Sequence, residues 1–213
     1  PMFDTTKVGI IGTSLGGIFS TDLLAIDPDI TAGVLAVPPG KLTYYLTEES
    51  GIGEMVLAPL ALLGIERGTY DFDSLMSIVQ WVADVIDPAN FAMHSVAGNT
   101  LEVLEYDPIM DAFDGSGDNV DPAKALVIMA LDDDVAPNVS TRQLSTIYGT
   151  DLSISTYEGR HAFMNVQDPA DENYKAALCG RRQAAFFLRA AIDGDDTTIP
   201  PELEADTCVS NLN

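Results

Sequence analysis

Lys7-Val8-Gly9-Ile10-Ile11-Gly12-Thr13-Ser14-Leu15-Gly16-Gly17 decides the fold. Its first six residues read as a short apolar strand of the kind buried on both faces of a sheet. The strand breaks into Gly12-Thr13-Ser14-Leu15-Gly16, a Gly-x-Ser-x-Gly turn. A serine held in a sharp strand-to-helix turn presses the residues two positions away against neighbouring backbone, so glycine is expected at 12 and 16. The same turn lifts the Ser14 hydroxyl to the carboxyl edge of the sheet. There the following helix offers its first N–H groups, that of Leu15 among them, to an oxyanion. An idle serine in a glycine-rich turn and a phosphate-binding loop are the other readings. The phosphate loop lacks both of its patterns, Gly-x-x-x-x-Gly-Lys and Gly-x-Gly-x-x-Gly.

Downstream, Ile18 to Ile26 has helical character and stops at Asp27-Pro28, because the residue before proline avoids the α region. Ile30 to Val37 is a second buried strand, closed by Pro38-Pro39-Gly40. Strand, helix and strand in this order make a βαβ unit, so the sheet is parallel with a right-handed crossover. Ala125 to Ala130 is a third buried strand, Ser140 to Tyr148 a helix, Asp151 to Tyr157 an alternating fourth strand, and Asn173 to Ile192 a final helix. Asp193 to Asn213 reads as an acidic, proline-interrupted tail.

Residues 41–122 interrupt this regularity. Ser74 to Ile86 carries apolar residues at helical spacing and ends at Asp87-Pro88. The apolar character of the segment predicts an insertion that packs over something as a cap. Asp111 to Asp121 resembles a calcium loop, but Asn119 stands where glycine is needed and Ala125 where the bidentate glutamate belongs. An acidic surface loop is the better reading.

Composition limits the function. With 213 residues, 46% of them hydrophobic, a single domain has a good-sized core. Thirty-three acidic residues against 10 basic give a net charge of −23, which repels nucleic acid and anionic membranes. An acidic secreted protein is the simpler reading of that charge, and solubility in high salt the other. No apolar run approaches the roughly 20 residues of a membrane span, and the first residues show no basic segment followed by an apolar one, so a signal peptide is expected to be absent or already removed. Cys179 and Cys208 are the only cysteines and His94 and His161 the only histidines, so no zinc site is expected. Their place near the C-terminus favours a disulfide clipping the tail to the last helix, and so an oxidising compartment.

A nucleophilic serine needs a base, and the base an orienting acid. The chain order that goes with this elbow is serine, acid, histidine. His94 precedes every candidate acid, whereas His161 follows the fourth strand in the loop Glu158 to Phe163, so the order selects His161. Asp132, Asp133 and Asp134 compete for the acid, directly after the third strand.

From Lys7 to Val37 and from Ala125 to Ala190, the sequence resembles bacterial α/β-hydrolase esterases and lipases. It is most similar to secreted or surface lipases whose elbow reads Ser-Leu-Gly-Gly-Ile, as Ser14 to Ile18 do. Asp87 to Ala92 resembles a segment between cap and acid strand in that group. Those enzymes place the acid four residues before a Pro-Asn, and Pro137-Asn138 puts it at Asp133. The resemblance implies one partial α/β-hydrolase domain over residues 1–213, mostly parallel, with helices on both faces and a cap insertion at 41–122. It implies a carboxylic ester hydrolase with Ser14 as nucleophile, His161 as base, Asp133 as acid and the Leu15 N–H at the oxyanion. Tyr44, Trp81, Phe91 and Met93 would meet an apolar acyl chain, with no cofactor or metal. A non-catalytic binding or assembly module, and a peptidase or thioesterase on the same triad, are the alternatives.

The fold has about eight strands with the elbow after the fifth. The strands before the elbow have no counterpart here, so Val8 to Ile11 is expected to be covered by other polypeptide. A secreted, periplasmic or surface location is expected.

Overall fold

Four parallel strands, β1 (Val8–Thr13), β2 (Ile30–Ala36), β5 (Lys124–Asp132) and β6 (Thr156–Arg160), form one sheet in the order β1-β2-β5-β6. A short antiparallel pair, β3 (Glu105–Asp107) and β4 (Ala112–Asp114), stands apart from it. The structure, a computed structural model, describes residues 8–27, 29–48, 50–97, 105–107, 112–114 and 124–212. Most of the acidic 111–121 stretch therefore lies outside the described residues.

The period of two along the central strands sorts their side chains into two cores. Val34, Ala36, Leu126, Ile128 and Ala130 face α7 (Tyr174–Asp193). Leu35 and Val127 face the other way, with Leu24 of α1 (Leu15–Ile26), Ala92 of α5 (Pro88–Ala97) and Leu144 of α6 (Asn138–Tyr148). Helices thus cover both faces. Gly33 lets α1 approach, since a Cβ there would stand 2.7 Å from Leu24 Cδ1.

Between β2 and β5 lie α2 (Tyr44–Thr47), α3 (Gly51–Leu62), α4 (Tyr70–Ala83) and α5. The expected helix over Ser74–Ile86 starts a turn earlier, because the Thr69 hydroxyl caps it by accepting the Phe72 N–H and Asp71 and Asp73 occupy its first turn. The insertion is not uniform. α5 packs with α1 and α6 as part of the helical layer on the sheet. α3 buries only Gly53, and α4 only Phe72 and Met76.

Two expectations are corrected. Asp151 to Ser155 is a turn rather than strand: Asp151 Oδ1 accepts the Ser153 N–H at 2.8 Å, and the Ser155 hydroxyl donates to the Val127 carbonyl at 2.8 Å. An aspartate that captures its own backbone two residues on defeats the alternating pattern. The C-terminal stretch is also no loose tail. It carries a 3₁₀ turn (Pro201–Leu203) and α8 (Ala205–Asn211), with Ile199, Ala205 and Cys208 buried in the α7-side core. Cys208 is disulfide-bonded to Cys179 of α7.

Candidate active site

Parallel strands all end on one edge, and loops leaving that edge carry the candidate residues. Ser14 follows β1, Asp133 follows β5 and His161 follows β6. Among the described residues, three non-glycine positions have positive φ: Ser14 (55°), Val37 (45°) and Ala162 (57°). Each directly follows the carboxyl end of a strand or the histidine beside it. Such conformations cost about 1–3 kcal/mol each and gather where a site must be held in shape. Val37, β-branched and buried, is the most strained of them, and nothing in its sequence context announced it.

At the elbow the Ser14 N–H donates to the Ala36 carbonyl at 2.9 Å, which fastens the turn to β2. Gly12 is required by contact, because a Cβ there would overlap the Gly16 carbonyl and the Ser20 hydroxyl. Gly16 departs from expectation: a Cβ there would meet nothing within 4 Å. Leu15 begins α1 immediately after Ser14. The first N–H groups of a helix, here those of Leu15 and Gly16, have no acceptor inside it.

Two contacts link the three side chains. Ser14 Oγ lies 2.7 Å from His161 Nε2. His161 Nδ1 lies 2.8 and 2.9 Å from the two Asp133 carboxylate oxygens. The Asp133 side chain is fully buried and that of His161 is 12% exposed. Asp133 Oδ1 also accepts the Val135 and Ala136 N–H groups at 3.0 and 2.8 Å. An oxygen that accepts from two backbone donors is an acceptor toward the ring, so Nδ1 carries its proton and Nε2 accepts from Ser14. Asp132 and Asp134 are exposed, and the strand register slips between Ala130 and Asp132, immediately before Asp133. His94, on α5, is exposed and apart from this group.

Of the expected substrate-contacting residues, Tyr44 and Trp81 line one cleft of about 410 Å³ with Lys41, Thr43, Met76 and Gln80. Lys41 Nζ sits 5.8 Å over the Tyr44 ring. Phe91 and Met93 lie on α5, half-buried and exposed respectively. Tyr45, beside Asp133, was not foreseen. Burial and then the Asp133 charge push its hydroxyl up to about 12, so it stays a neutral donor at ordinary pH. No group of three or more histidine, cysteine or acidic side chains able to hold a metal occurs among the described residues. Nor is any helix among them long and apolar enough to cross a membrane.

No protein-family model and no curated protein matches the chain. Among solved structures, puromycin hydrolase is similar with a TM-score of 0.53 and 15% identity, over 94% of this chain and 24% of that one. A mutant of puromycin hydrolase in complex with PGG gives a TM-score of 0.54 and 13% identity, over 92% and 24%. A weaker likeness, TM-score 0.40 at 11% identity, is to an esterase of Pyrococcus furiosus, over 87% of this chain and 52% of that one. The chain spans about a quarter of the length of the puromycin hydrolase structures. Sheet, crossovers and neighbours together are those of the α/β-hydrolase fold.

Proposed function

We propose that this chain carries the nucleophile, base and acid of a serine hydrolase acting on carboxylic esters. One observation supports the reading above the rest: Ser14 Oγ, the His161 ring and the Asp133 carboxylate stand in line at 2.7 and 2.8 Å. In the reaction, Ser14 Oγ attacks the ester carbonyl carbon and its proton passes to His161 Nε2. The carbonyl electrons move onto oxygen, which the Leu15 N–H receives. Collapse breaks the carbon–alkoxide bond, His161 returns the proton to the leaving alcohol, and an acyl-Ser14 remains. Water, deprotonated by the same Nε2, releases the acid and restores the serine. Asp133 holds the tautomer and stabilises the imidazolium throughout. A peptide amide or thioester would follow the same steps.

An apolar acyl group held by Tyr44, Trp81, Phe91 and Met93 is proposed on their side chains alone, since the cleft that Tyr44 and Trp81 share also carries Lys41, Thr43, Gln80 and Asp84 and none of Ser14, Asp133 and His161. The Cys179–Cys208 bridge favours an oxidising, secreted or surface location. The β1 edge is proposed to be covered by further polypeptide, which would also supply the second oxyanion N–H that this fold takes from a loop ahead of the elbow.

A fluorophosphonate probe and p-nitrophenyl esters of graded acyl length, applied to the protein with the polypeptide that covers β1 in place, test the proposal together. Covalent labelling mapped to Ser14, and turnover that falls roughly 10⁶-fold in Ser14→Ala, is the expected result. A folded protein that takes no label and turns over nothing would instead be a binding module.

A further inference from the structure

We infer that the cap is tied to the proposed acid by one backbone hydrogen bond, and that Arg67 is the positioning residue that keeps this bond made. The inference rests on the triad reading above. Several of the bonds shaping the Asp133 loop are local: Val135 and Ala136 donate to Asp133 Oδ1, and Asn138 Nδ2 donates to the Leu131 carbonyl at 2.9 Å. One comes from outside. The Gly51 N–H, the first of α3, donates to the Asp134 carbonyl at 3.0 Å. The approach is close enough to need glycine, since a Cβ at Gly51 would stand 2.9 Å from the same oxygen.

Gly51 is held in turn by the segment before it. The Ser50 hydroxyl accepts the Gly53 N–H at 2.8 Å and donates to the Tyr45 carbonyl at 3.0 Å. Arg67, from the loop between α3 and α4, reaches back to the end of α2. Its Nε donates to the Leu46 carbonyl at 3.1 Å and its Nη2 to the Glu48 carbonyl at 2.7 Å. These are carbonyls that a helix end leaves without partners, and the guanidinium fork takes two at once. Arg67 and Asp133 line the same cleft of about 490 Å³, with Thr47, Pro137 and Asn138. The chain of contacts therefore runs from Arg67 through the end of α2, Tyr45 and Ser50 to Gly51 and Asp134, one residue from the carboxylate on His161. Without the clamp, the end of α2 that carries the Leu46 and Glu48 carbonyls loosens, the Gly51 bond opens and Asp133 loses its fixed place on the ring.

Gly51→Pro and Arg67→Met test the two ends. Proline at the first helical position removes the N–H in question and suits the helix start, and Ser50 at φ −157°, ψ 151° already has the conformation that precedes proline. Gly51→Ala, which brings the same Cβ against the Asp134 carbonyl but keeps the N–H, is the steric control whose loss Gly51→Pro must exceed. Arg67 is exposed, so Arg67→Met leaves the core alone. Gly51→Pro and Arg67→Met, each with wild-type circular dichroism, should lower kcat by roughly 10- to 100-fold, the cost of a small misplacement of a catalytic group, with KM unchanged. Each should also broaden or erase the far-downfield Nδ1 proton resonance of His161, which reads the Asp133 contact without any substrate. The double variant should be no worse than the worse single one, and Arg67→Lys, which reaches one carbonyl, should be intermediate. An unchanged resonance and kcat in Gly51→Pro would overturn the tie, and additive losses would remove Arg67 from it. Failure of the triad reading shows separately, as turnover that survives Ser14→Ala.

Discussion

Both carboxylate oxygens of Asp133 bear on a single nitrogen of His161, Nδ1, at 2.8 and 2.9 Å. Oδ1 simultaneously accepts two backbone N–H groups, so the carboxylate has a fixed orientation. In Asp133→Asn those same backbone donors select the amide oxygen and turn the NH₂ toward Nδ1. A donor facing a donor moves the imidazole proton to Nε2, where it blocks transfer from Ser14. Turnover of a p-nitrophenyl ester should fall roughly 10⁴-fold. The exposed Asp132 and Asp134 tolerate the same change. Equal losses at all three positions would reject the assignment.

Gly12 and Gly16 occupy equivalent places in the elbow motif but not in space. A Cβ on Gly12 overlaps backbone, whereas one on Gly16 meets nothing. Gly12→Ala should therefore fail to give folded protein. Gly16 lies in the first turn of a helix, at a φ that alanine shares, and Gly→Ala there stabilises by roughly 0.5–1 kcal/mol. For a chain of this length that raises Tm by about 2–4 °C per kcal/mol. Thermal unfolding of the two variants checks both halves, and a Gly16→Ala protein that melts earlier contradicts the second.

Asp22, on α1, has a buried Oδ1 without a hydrogen-bond partner. Burial first, and the Asp87 charge second, raise its pKa from 3.8 to about 6. A carboxyl raised on folding binds its proton more tightly in the native state, so between these values the native protein holds more protons than the unfolded chain. Stability from this group is thus full below 3.8, declines as pH rises to about 6, and stays diminished above it. Asp22→Asn removes the ionisation. Because the group is partly screened by solvent, the gain is on the order of 1 kcal/mol. Denaturant titrations at pH 8 and at pH 3.5 should show the difference from wild type at the higher pH alone. A gain of the same size at both would point to packing rather than charge.

The residues of the site were legible where chemistry and strand order speak together. Ser14 follows an apolar run and His161 follows the last strand, whereas strand order leaves Asp132, Asp133 and Asp134 open and only the resemblance to lipases, through Pro137-Asn138, points to Asp133. The central strands were legible because burial on both faces writes them as unbroken apolar runs, such as Leu126 to Ala130. β6 was displaced by the Asx turn at Asp151, whose hydrogen bond carries no hydrophobic signal. α8 was hidden because a seven-residue helix anchored by Cys208 and Ala205 has too little periodicity to be seen. α3 has no such signal for the opposite reason: its apolar residues face outward and a proline, Pro59, lies inside it. Neither Val37 nor the contacts of Gly51 and Arg67 had a sequence signature, since strain and carbonyl contacts are made by backbone.

The last prediction concerns the edge of the sheet. Among the described residues β1 pairs with β2 alone, so its other side offers N–H and carbonyl groups for pairing. Ile11 in that edge strand is 56% exposed on the α7 side of the sheet, and on the other side Leu15, Phe19, Leu23 and Ile26 form an exposed apolar stripe along α1 at helical spacing. An open strand edge joined to a bare helix face is a template for pairing with another polypeptide. Studied alone, the 213-residue chain should therefore self-associate and turn over esters poorly. Repulsion between molecules of net charge −23 opposes that association, and salt screens it, so the particle mass seen by light scattering should grow from low to molar salt. Ionic pairing between copies would show the reverse dependence. Ile11→Lys with Phe19→Asp places a charge on the edge and another on the stripe, and should leave dispersed monomer at every salt concentration. A wild-type chain that is already monomeric in molar salt, with ordinary ester turnover, would show that the β1 edge needs no cover.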